Sequence, residues 1–418
     1  MNTTTPITAG PTTRGSVFRH RDFRYLFAAA AASRAGYETG RLALPLVAIL
    51  ALGAGEGQLG LLAAFSTAAF LLVGLPAGAL VDRLRKRPVM IAADLARAVV
   101  LAWVPVGWWL GVLTIEHLYV VALLVGAGTV CFDVGAQSFL PRVVGRDRLV
   151  GANSALGALS AGSAVAGPAG AGGLVGLLTA PVAVLANVVG MLGSAALLAG
   201  VRSADPRPAL AGRRRLTAEI GEGVRYVVGH PVLRPILLQG SLANLSIVMV
   251  TVMAPVVFVR ELGLSPAAVG VFFAGGGAGV FLGALLARRL SGWLGAGRTL
   301  WLLGIGVAPF GLAVPLAGAG VPLWAAAAGW LLAVTKVGVD NVLLVSFRQA
   351  VTPDRLLGRM NATFRTLLQG ALAIGGLLAG LAGELLGARP ALWLGAAGLG
   401  LVWVPIFCSS IRSMSGRW

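Results

Sequence analysis

Residues 78–84 read Gly-Ala-Leu-Val-Asp-Arg-Leu, and a similar stretch, Gly-Ala-Leu-Leu-Ala-Arg-Arg-Leu, begins 205 positions later at Gly283. A second pair repeats in the same way: Asp-Arg-Leu-Val-Gly-Ala-Asn at 147–153 returns as Asp-Arg-Leu-Leu-Gly-Arg-Met-Asn at 354–361. Both offsets are close to half of the 418 residues. The repeats predict a chain built from two halves of the same topology.

The composition around these repeats is typical of a membrane protein. Hydrophobic residues make up 57% of the chain and charged residues only 11%, which excludes a soluble globular domain. Several long segments contain no Asp, Glu, Lys or Arg, and each exceeds the roughly 20 apolar residues that a helix needs to cross a bilayer. These uncharged segments are 57–81, 149–201, 235–259, 262–287, 299–335 and 390–411.

The net charge of +18 would suggest a nucleic-acid partner in a soluble protein, but here the charge follows the membrane topology. Of the 33 basic residues, 26 lie at the two ends of the chain and in every second connection between predicted spans. The intervening connections hold only Arg260 and Arg389. Basic loops stay in the cytoplasm, so we expect a multi-pass protein of the cytoplasmic (inner) membrane with both termini inside, an even number of spans and no nucleic-acid partner.

Twelve transmembrane helices fit this pattern, and the chain is therefore predicted to be an all-α polytopic membrane protein. The predicted spans are 23–51, 58–81, 88–112, 116–139, 150–175, 180–201, 233–259, 266–287, 299–318, 322–347, 360–386 and 390–411. The predicted divisions of the chain are a disordered cytoplasmic tail (1–21), a six-helix bundle (22–201), a cytoplasmic linker with a short surface helix (202–232), a second six-helix bundle (233–411) and a short cytoplasmic tail (412–418).

Two six-helix bundles related by an axis along the membrane normal are typical of secondary transporters. The loop from Gly78 to Arg87 resembles the signature of the major facilitator superfamily, Gly-x-Leu-x-Asp-Arg-x-Gly-Arg-Arg, with Arg85 in place of the second glycine. Other stretches resemble the bacterial branch that contains macrolide-efflux and enterobactin-exporter permeases. They are Phe23-Arg-Tyr-Leu26, Arg41-Leu-Ala-Leu-Pro45, Asp94-Leu-Ala-Arg97, Phe132-Asp133 with Leu140-Pro141, Arg348-Gln349 and 353–362.

The signature loop is predicted to form part of a cytoplasmic gate, with Gly78, Asp82 and Arg83 as its residues. Asp82 comes just after a membrane helix, where its carboxylate could meet the positively polarised N-terminus of a helix from the other half. That contact could form only when the cytoplasmic side is closed. The alternative is that the basic residues of the loop merely fix its topology.

A glycine-rich stretch of the fifth span, Gly167-Pro168-Ala-Gly-Ala-Gly172-Gly173, resembles the Gly-Pro-x-x-Gly-Gly signature of antiporters in this superfamily, with Ala171 at one glycine position. Small residues let helices approach closely, and proline permits a bend. The resemblance implies an antiporter hinge at Gly167, Pro168, Gly172 and Gly173. Close helix packing without any hinge is the alternative.

Ionisable residues inside membrane spans are costly, so they are functional candidates. Asp94 and Arg97, three residues apart, lie near the cytoplasmic end of the third span. With Asp133 and Arg365 at a similar depth, they are predicted to form further gate pairs. Static ion pairs that hold helices together are an equally open interpretation.

Two deeper groups are predicted to line the substrate cavity. Arg34, Tyr37, Glu38 and Arg41 lie on the first span, and Lys336 and Asp340 share a face of the tenth. Glu38 is the predicted proton-linked residue, with Asp340 and its charge partner Lys336 in reserve. For each group the alternative is a self-neutralising pair that faces protein.

Enzyme chemistry has no support in the sequence, because the three histidines share no metal-ligand spacing and no phosphate-binding Gly-x-x-x-x-Gly-Lys loop exists. We therefore expect no catalytic residues, no metal site, no cofactor and no disulfide between Cys131 and Cys408. The predicted function is multidrug-type efflux: a monomer in the lipid bilayer exports drug-like or secondary-metabolite small molecules, macrolide-like or siderophore-like, in exchange for protons. The alternatives are uptake or exchange of an anionic metabolite and, more remotely, a transport-inactive sensor or scaffold.

Overall fold

The computed structural model describes the backbone of residues 17–203, 205 and 216–414, and the side chains of these residues except 75–80, 82, 83, 146, 216–220 and 354. Every regular element in these ranges is helical. The first half contains α1 (Arg21–Leu50), α2 (Glu56–Arg83), α3 (Lys86–Trp109), α4 (Ile115–Val144), α5 (Leu149–Leu177) and α6 (Ala180–Ala199). The prediction of an all-α membrane protein is confirmed.

The second half follows a linker helix, α7 (Leu216–Gly229). Helix α8 (Leu233–Val256) continues through a π-helical turn, Val257–Glu261. The remaining helices are α9 (Pro266–Leu294), α10 (Ala296–Gly306), α11 (Val321–Val351), α12 (Asp354–Leu386), α13 (Ala388–Gly400) and α14 (Val404–Phe407).

Eleven helices within the described ranges are long and apolar enough to cross a membrane. Helix α1 is not among them, because every 18-residue window within it contains at least three charged residues. It is nevertheless 30 residues long, about 45 Å at 1.5 Å per residue, and it packs against α5 and α6. Together with α1, the helices agree with the predicted twelve crossings.

Two crossings differ from the continuous helices that the sequence predicts. The ninth crossing, predicted over 299–318, leaves the α-helix after Gly306 and forms a 3₁₀ turn at Ala308–Ala313. The twelfth, predicted over 390–411, is divided into α13 and α14 by a turn. Pro309 and Pro405 lie at these breaks, and proline has no N–H to donate to the preceding turn.

Glycines end the helices at sharp reversals of the chain. Gly145 follows α4 with φ 75°, and its N–H donates to the Pro141 carbonyl oxygen at 3.1 Å. Gly295 has φ 82° and separates α9 from α10. A side chain would strain both positions, because L-residues rarely adopt positive φ.

The two halves contact each other along two pairs of helices, α2 with α12 and α5 with α9. We call the side of the bundle that carries the α2–α3 connection and helix α7 the basic face. The opposite face carries the connections at 51–55, 110–114 and 262–265. The halves touch mainly near the opposite face, and this arrangement positions the candidate site.

Candidate transport pathway

Glycines bring α2 and α12 together near the opposite face. A Cβ added to Gly60 would overlap the backbone of Gly380 and Gly376, and one added to Gly57 would overlap the carboxylate of Glu384. Backbone contacts this close are possible because glycine has no side chain. The first and last turns of these two helices therefore leave no space for a solute between them.

The predicted hinge stretch forms the second contact between the halves. A Cβ on Gly172 would overlap the Pro266 carbonyl oxygen and Gly270 of α9, and a Cβ on Gly270 would overlap the Pro168 carbonyl oxygen. Gly167 faces the side chain of Glu38 on α1, whereas an added Cβ on Gly173 would meet nothing within 4 Å. Three of the four predicted residues thus lie at helix contacts. The antiporter role stays a prediction.

Both contacts end before the basic face. On α5, Ala164 contacts Gly277 of α9. Gly157 lies seven residues, about two turns, closer to the basic face, and a Cβ added there would meet nothing within 4 Å. On α12, Gly358 lies five turns before Gly376 on the same helical face, and its surroundings are equally open. The two halves therefore diverge toward the basic face and leave a cleft between them.

An ion pair also closes the opposite face. The Arg260 guanidinium donates to the Glu56 carboxylate at 3.3 Å and to the Ala54 carbonyl oxygen at 2.5 Å, so it links the π-helical turn after α8 in one half to the start of α2 in the other. Next to it, Arg389 donates to Glu261 at 2.8 Å. Sequence reasoning did not select Arg260, although its rarity was a signal: it is one of two basic residues in the connections of this face.

Loss of this ion pair should weaken the closed state of the opposite face. Because both side chains are about one-third exposed, the pair contributes about 1 kcal/mol or less, so Arg260→Ala should raise the population open at that face by roughly fivefold at most. Accessibility of a single cysteine at Ala63, a half-buried residue of α2 whose Cβ faces Gly376 of α12, to an impermeant maleimide measures this change. High salt should mimic the substitution in the parent protein but not in Arg260→Ala, and equal salt effects in both would contradict the assignment.

The three charged residues deep in α1, Arg34, Glu38 and Arg41, do not all pair with one another. The Glu38 carboxylate lies 3.6 Å from the guanidinium of Arg41, and its side chain is 8% exposed whereas that of Arg41 is 62% exposed. One Glu38 oxygen is buried without a hydrogen bond. Arg34 instead donates to the Ser160 hydroxyl of α5 at 3.1 Å. Tyr37 lies half-buried between these residues.

The two predicted gate pairs are arranged differently from each other. Asp94 and Arg97 pair within α3, where both are buried, and Arg97 also donates to the Thr129 hydroxyl of α4 at 3.1 Å. Asp133 of α4 lies within electrostatic reach of Arg365 in the other half. The Arg365 guanidinium lies 4.9 Å from the centre of the Phe70 ring of α2, so this contact also bridges the halves.

Lys336 and Asp340 form the predicted pair on α11, and both are buried. The Gln239 amide of α8 donates to the same Asp340 carboxylate at 2.6 Å. Lys336 and Asp340 neutralise each other within the second half, and Gln239 adds a hydrogen bond to the pair. The hydrogen bond from Gln239 to Asp340 connects α8 to α11.

The remaining predicted gate residues, Gly78, Asp82 and Arg83, lie at the end of α2, where their side chains are outside the described residues. Nearby, Asp205 of the linker accepts from the backbone N–H of Arg87 and from the Arg142 guanidinium, both at 2.9 Å. Sequence reasoning did not select Asp205, because nothing in its local pattern predicts contacts with residues more than 60 positions away. Within the described part of the chain, no group of three His, Cys, Asp or Glu residues is placed to hold a metal ion.

Several solved structures of membrane transporters share this arrangement of helices. A bacterial homologue of the iron transporter ferroportin in an inward-facing state is 17% identical with a TM-score of 0.76, covering 94% of this chain and 99% of that chain. A structure of such a homologue in an outward-facing state has a TM-score of 0.61 at 18% identity, covering 93% and 98%. The nucleoside transporter NupG has a TM-score of 0.72 at 12% identity, covering 93% and 100%.

A search of curated proteins gives no significant match to the chain. The sequence model that describes the Major Facilitator Superfamily matches residues 26–376, which is most of the chain and includes helices from both halves. The fold and the family are those of membrane transporters and not of enzymes. The resemblance to the macrolide-efflux and enterobactin-exporter branch stays a prediction. With its two six-helix halves and its family match, the chain belongs to the Major Facilitator Superfamily.

Proposed function

We propose that this protein is a proton-coupled exporter of drug-like or secondary-metabolite small molecules. The observation that carries the proposal is the cleft between the halves, which is closed at the opposite face by α2–α12 and α5–α9 and open toward the basic face. Because basic loops remain in the cytoplasm, this cleft would receive its substrate from the cell interior. Both termini would be cytoplasmic, and the protein would work as a monomer in the cytoplasmic membrane.

Export requires the two halves to open alternately to each side of the membrane. In the proposed cycle, the α2–α12 and α5–α9 contacts separate, the Arg260–Glu56 ion pair breaks, and the basic ends of the helices come together. Asp82 would then reach its gating partner in the other half. The rigid packing within each half supports such a movement, because contacts among α1, α5 and α6 need not change.

Proton coupling is assigned to Glu38. Its carboxylate is nearly buried, and its side chain packs on Gly167, one residue before the Pro168 carbonyl that contacts Gly270 of the other half. A change of charge at Glu38 would therefore act on the helix that closes the pathway. An ionised carboxylate in such a site is stabilised by Arg41, whereas a protonated one needs no counter-ion.

The second candidate function is uptake or exchange of an anionic metabolite. Arg34, Glu38, Arg41, Asp133 and Arg365 sum to one positive charge at the closed end of the cleft. In a site of reduced dielectric, that excess charge favours neutral or anionic substrates over cations. Export remains the first proposal because the hinge stretch resembles that of antiporters.

Growth of an efflux-deficient bacterial host on toxic compounds tests the direction of transport. Cells that produce the protein should tolerate higher concentrations of macrolide-like or catecholate compounds and accumulate less of them, whereas tolerance of ethidium should change little. Cells that produce Glu38→Gln serve as the inactive control. Greater accumulation of a compound would support uptake and overturn export, and ethidium tolerance as large as that for the anionic catecholates would overturn the charge preference.

A further inference from the structure

Five side chains from five helices lie at one depth of the cleft. Counted at 1.5 Å per residue from the basic end of each helix, Arg34, Phe70, Asp133, Ser160 and Arg365 all lie about 16–20 Å inside. The hydrocarbon core of a bilayer is about 30 Å thick, so this level is near its middle. Ionisable groups at such a depth are costly unless they have a partner or a ligand.

Two of these residues are arginines without a tight carboxylate partner. Arg34 and Arg365 are both exposed, and among the described side chains neither has an ion pair within 4.0 Å. Arg34 donates to a neutral hydroxyl at 3.1 Å, and Arg365 lies over the Phe70 ring. A guanidinium presents several N–H donors in a plane, which suits a carboxylate or a similar planar oxyanion.

Asp133 is a carboxylate within electrostatic reach of both arginines, because it lies at the same depth of the cleft. Its carboxylate interacts electrostatically with Arg365, Arg34 and Arg97, and Arg97 is already paired with Asp94. Asp133 is partly exposed, and it holds neither Arg34 nor Arg365 in a direct ion pair. Asp133 therefore attracts both guanidinium groups but leaves their N–H donors available to a ligand.

We infer that Arg34 and Arg365 bind the anionic group of an amphipathic organic substrate, with Asp133 as the internal anion that competes with it. This inference rests on the proposed function and moves Asp133 and Arg365 from the predicted gate to the binding site. The two arginines belong to different halves, so the bound anion links them. Phe70 and Tyr37 lie beside the arginines and supply aromatic surface for the apolar part of the substrate.

Three probes that share one ring system test the charge preference. They are 1-pyrenebutyrate, its uncharged amide and 1-pyrenebutylamine, each titrated into the purified full-length protein in lipid nanodiscs without an ion gradient and followed by pyrene fluorescence. The carboxylate should bind on the order of tenfold more tightly than the amide, and the amine most weakly. These binding measurements require neither an ion gradient nor transport. A protein that binds the carboxylate but does not export it would therefore contradict the proposed function and leave this inference intact.

Matched substitutions assign the preference to residues. Arg34→Gln and Arg365→Gln should each remove most of the difference between carboxylate and amide, whereas Arg365→Lys should retain much of it, because the positive charge remains. Asp133→Asn should tighten binding of the carboxylate several-fold and leave the amide unchanged. Arg289→Gln is the control, because Arg289 is an exposed arginine at the basic end of α9.

Thermal unfolding of each variant shows whether it is folded before binding is compared. Equal affinity for carboxylate and amide in the parent protein would overturn the inference, as would an undiminished preference in both arginine variants. Absence of binding by all three probes would also overturn it, because the cleft is open in this conformation. Weaker carboxylate binding in Asp133→Asn would contradict the competing role of that residue.

Discussion

Glu38→Gln is expected to reduce transport driven by a pH gradient to background while substrate binding remains. The amide has nearly the same shape as the protonated carboxyl group but carries no exchangeable charge, so its packing on Gly167 is preserved and the coupling step is lost. The measurement is proton movement in proteoliposomes, followed by an internal pH-sensitive dye after substrate is added. Binding to the same preparation is measured without a gradient.

Asp340→Asn is the matched control for this substitution, since Asp340 is also a buried carboxylate paired with a cation. Its proton coupling should persist, with some loss of thermal stability from the Lys336 and Gln239 contacts. Arg41→Ala should change the pH profile of transport, because it removes the positive charge that lies 3.6 Å from the Glu38 carboxylate. If Glu38→Gln still moves protons and Asp340→Asn does not, the coupling site belongs to α11.

Gly172→Leu is expected to trap the protein away from the conformation described here. Even the first carbon of the new side chain would overlap Pro266 and Gly270 across the halves, and backbone cannot move aside within two packed helices. Overpacking of this kind costs about 1–3 kcal/mol, so the ratio of closed to open states at the opposite face should fall roughly 5- to 150-fold. Labelling of single cysteines from each side of inverted and right-side-out vesicles measures the shift.

The neighbouring substitution Gly173→Leu separates this effect from a general intolerance of α5. It changes the same helix by the same side chain, yet its Cβ meets nothing within 4 Å, so accessibility and transport should stay close to those of the parent. Equal shifts in both variants would mean that α5 responds to bulk anywhere and that the contact at Gly172 has no special role. Equal accessibility in Gly172→Leu and the parent would contradict the conclusion that the Gly172 contact with α9 closes the opposite face.

Much of the fold could be predicted because its determinants are local. The uncharged segments set the positions of the crossings, alternating basic loops set the topology, and the repeats at 78–84 and 283–290 identify two similar halves. Pro309 and Pro405 interrupt the ninth and twelfth crossings. Hydropathy could not predict those breaks, because proline is also tolerated within continuous helices of this chain, such as Pro168 in α5.

Less of the candidate site could be predicted, because its pairs depend on which helices meet. Helical spacing predicted that Arg34, Glu38 and Arg41 share a face of α1, yet it could not indicate that Arg34 reaches Ser160, 126 positions away. The Arg260–Glu56 pair spans 204 positions and both halves. A single sequence contains no signal for such a contact beyond the rarity of arginine at that face.

The contacts that close the opposite face consist largely of glycine backbone, whereas the cleft is lined by distinctive side chains. Mutations that alter substrate range therefore fall on a different set of positions from those that alter the conformational cycle. A lineage under selection by a new toxin can exchange Phe70, Ser160 or Arg365 and leave the closing surfaces intact. Laboratory evolution of this protein should accordingly recover new specificities in the cleft, with Gly60, Gly172, Gly270 and Gly380 unchanged throughout the selected clones.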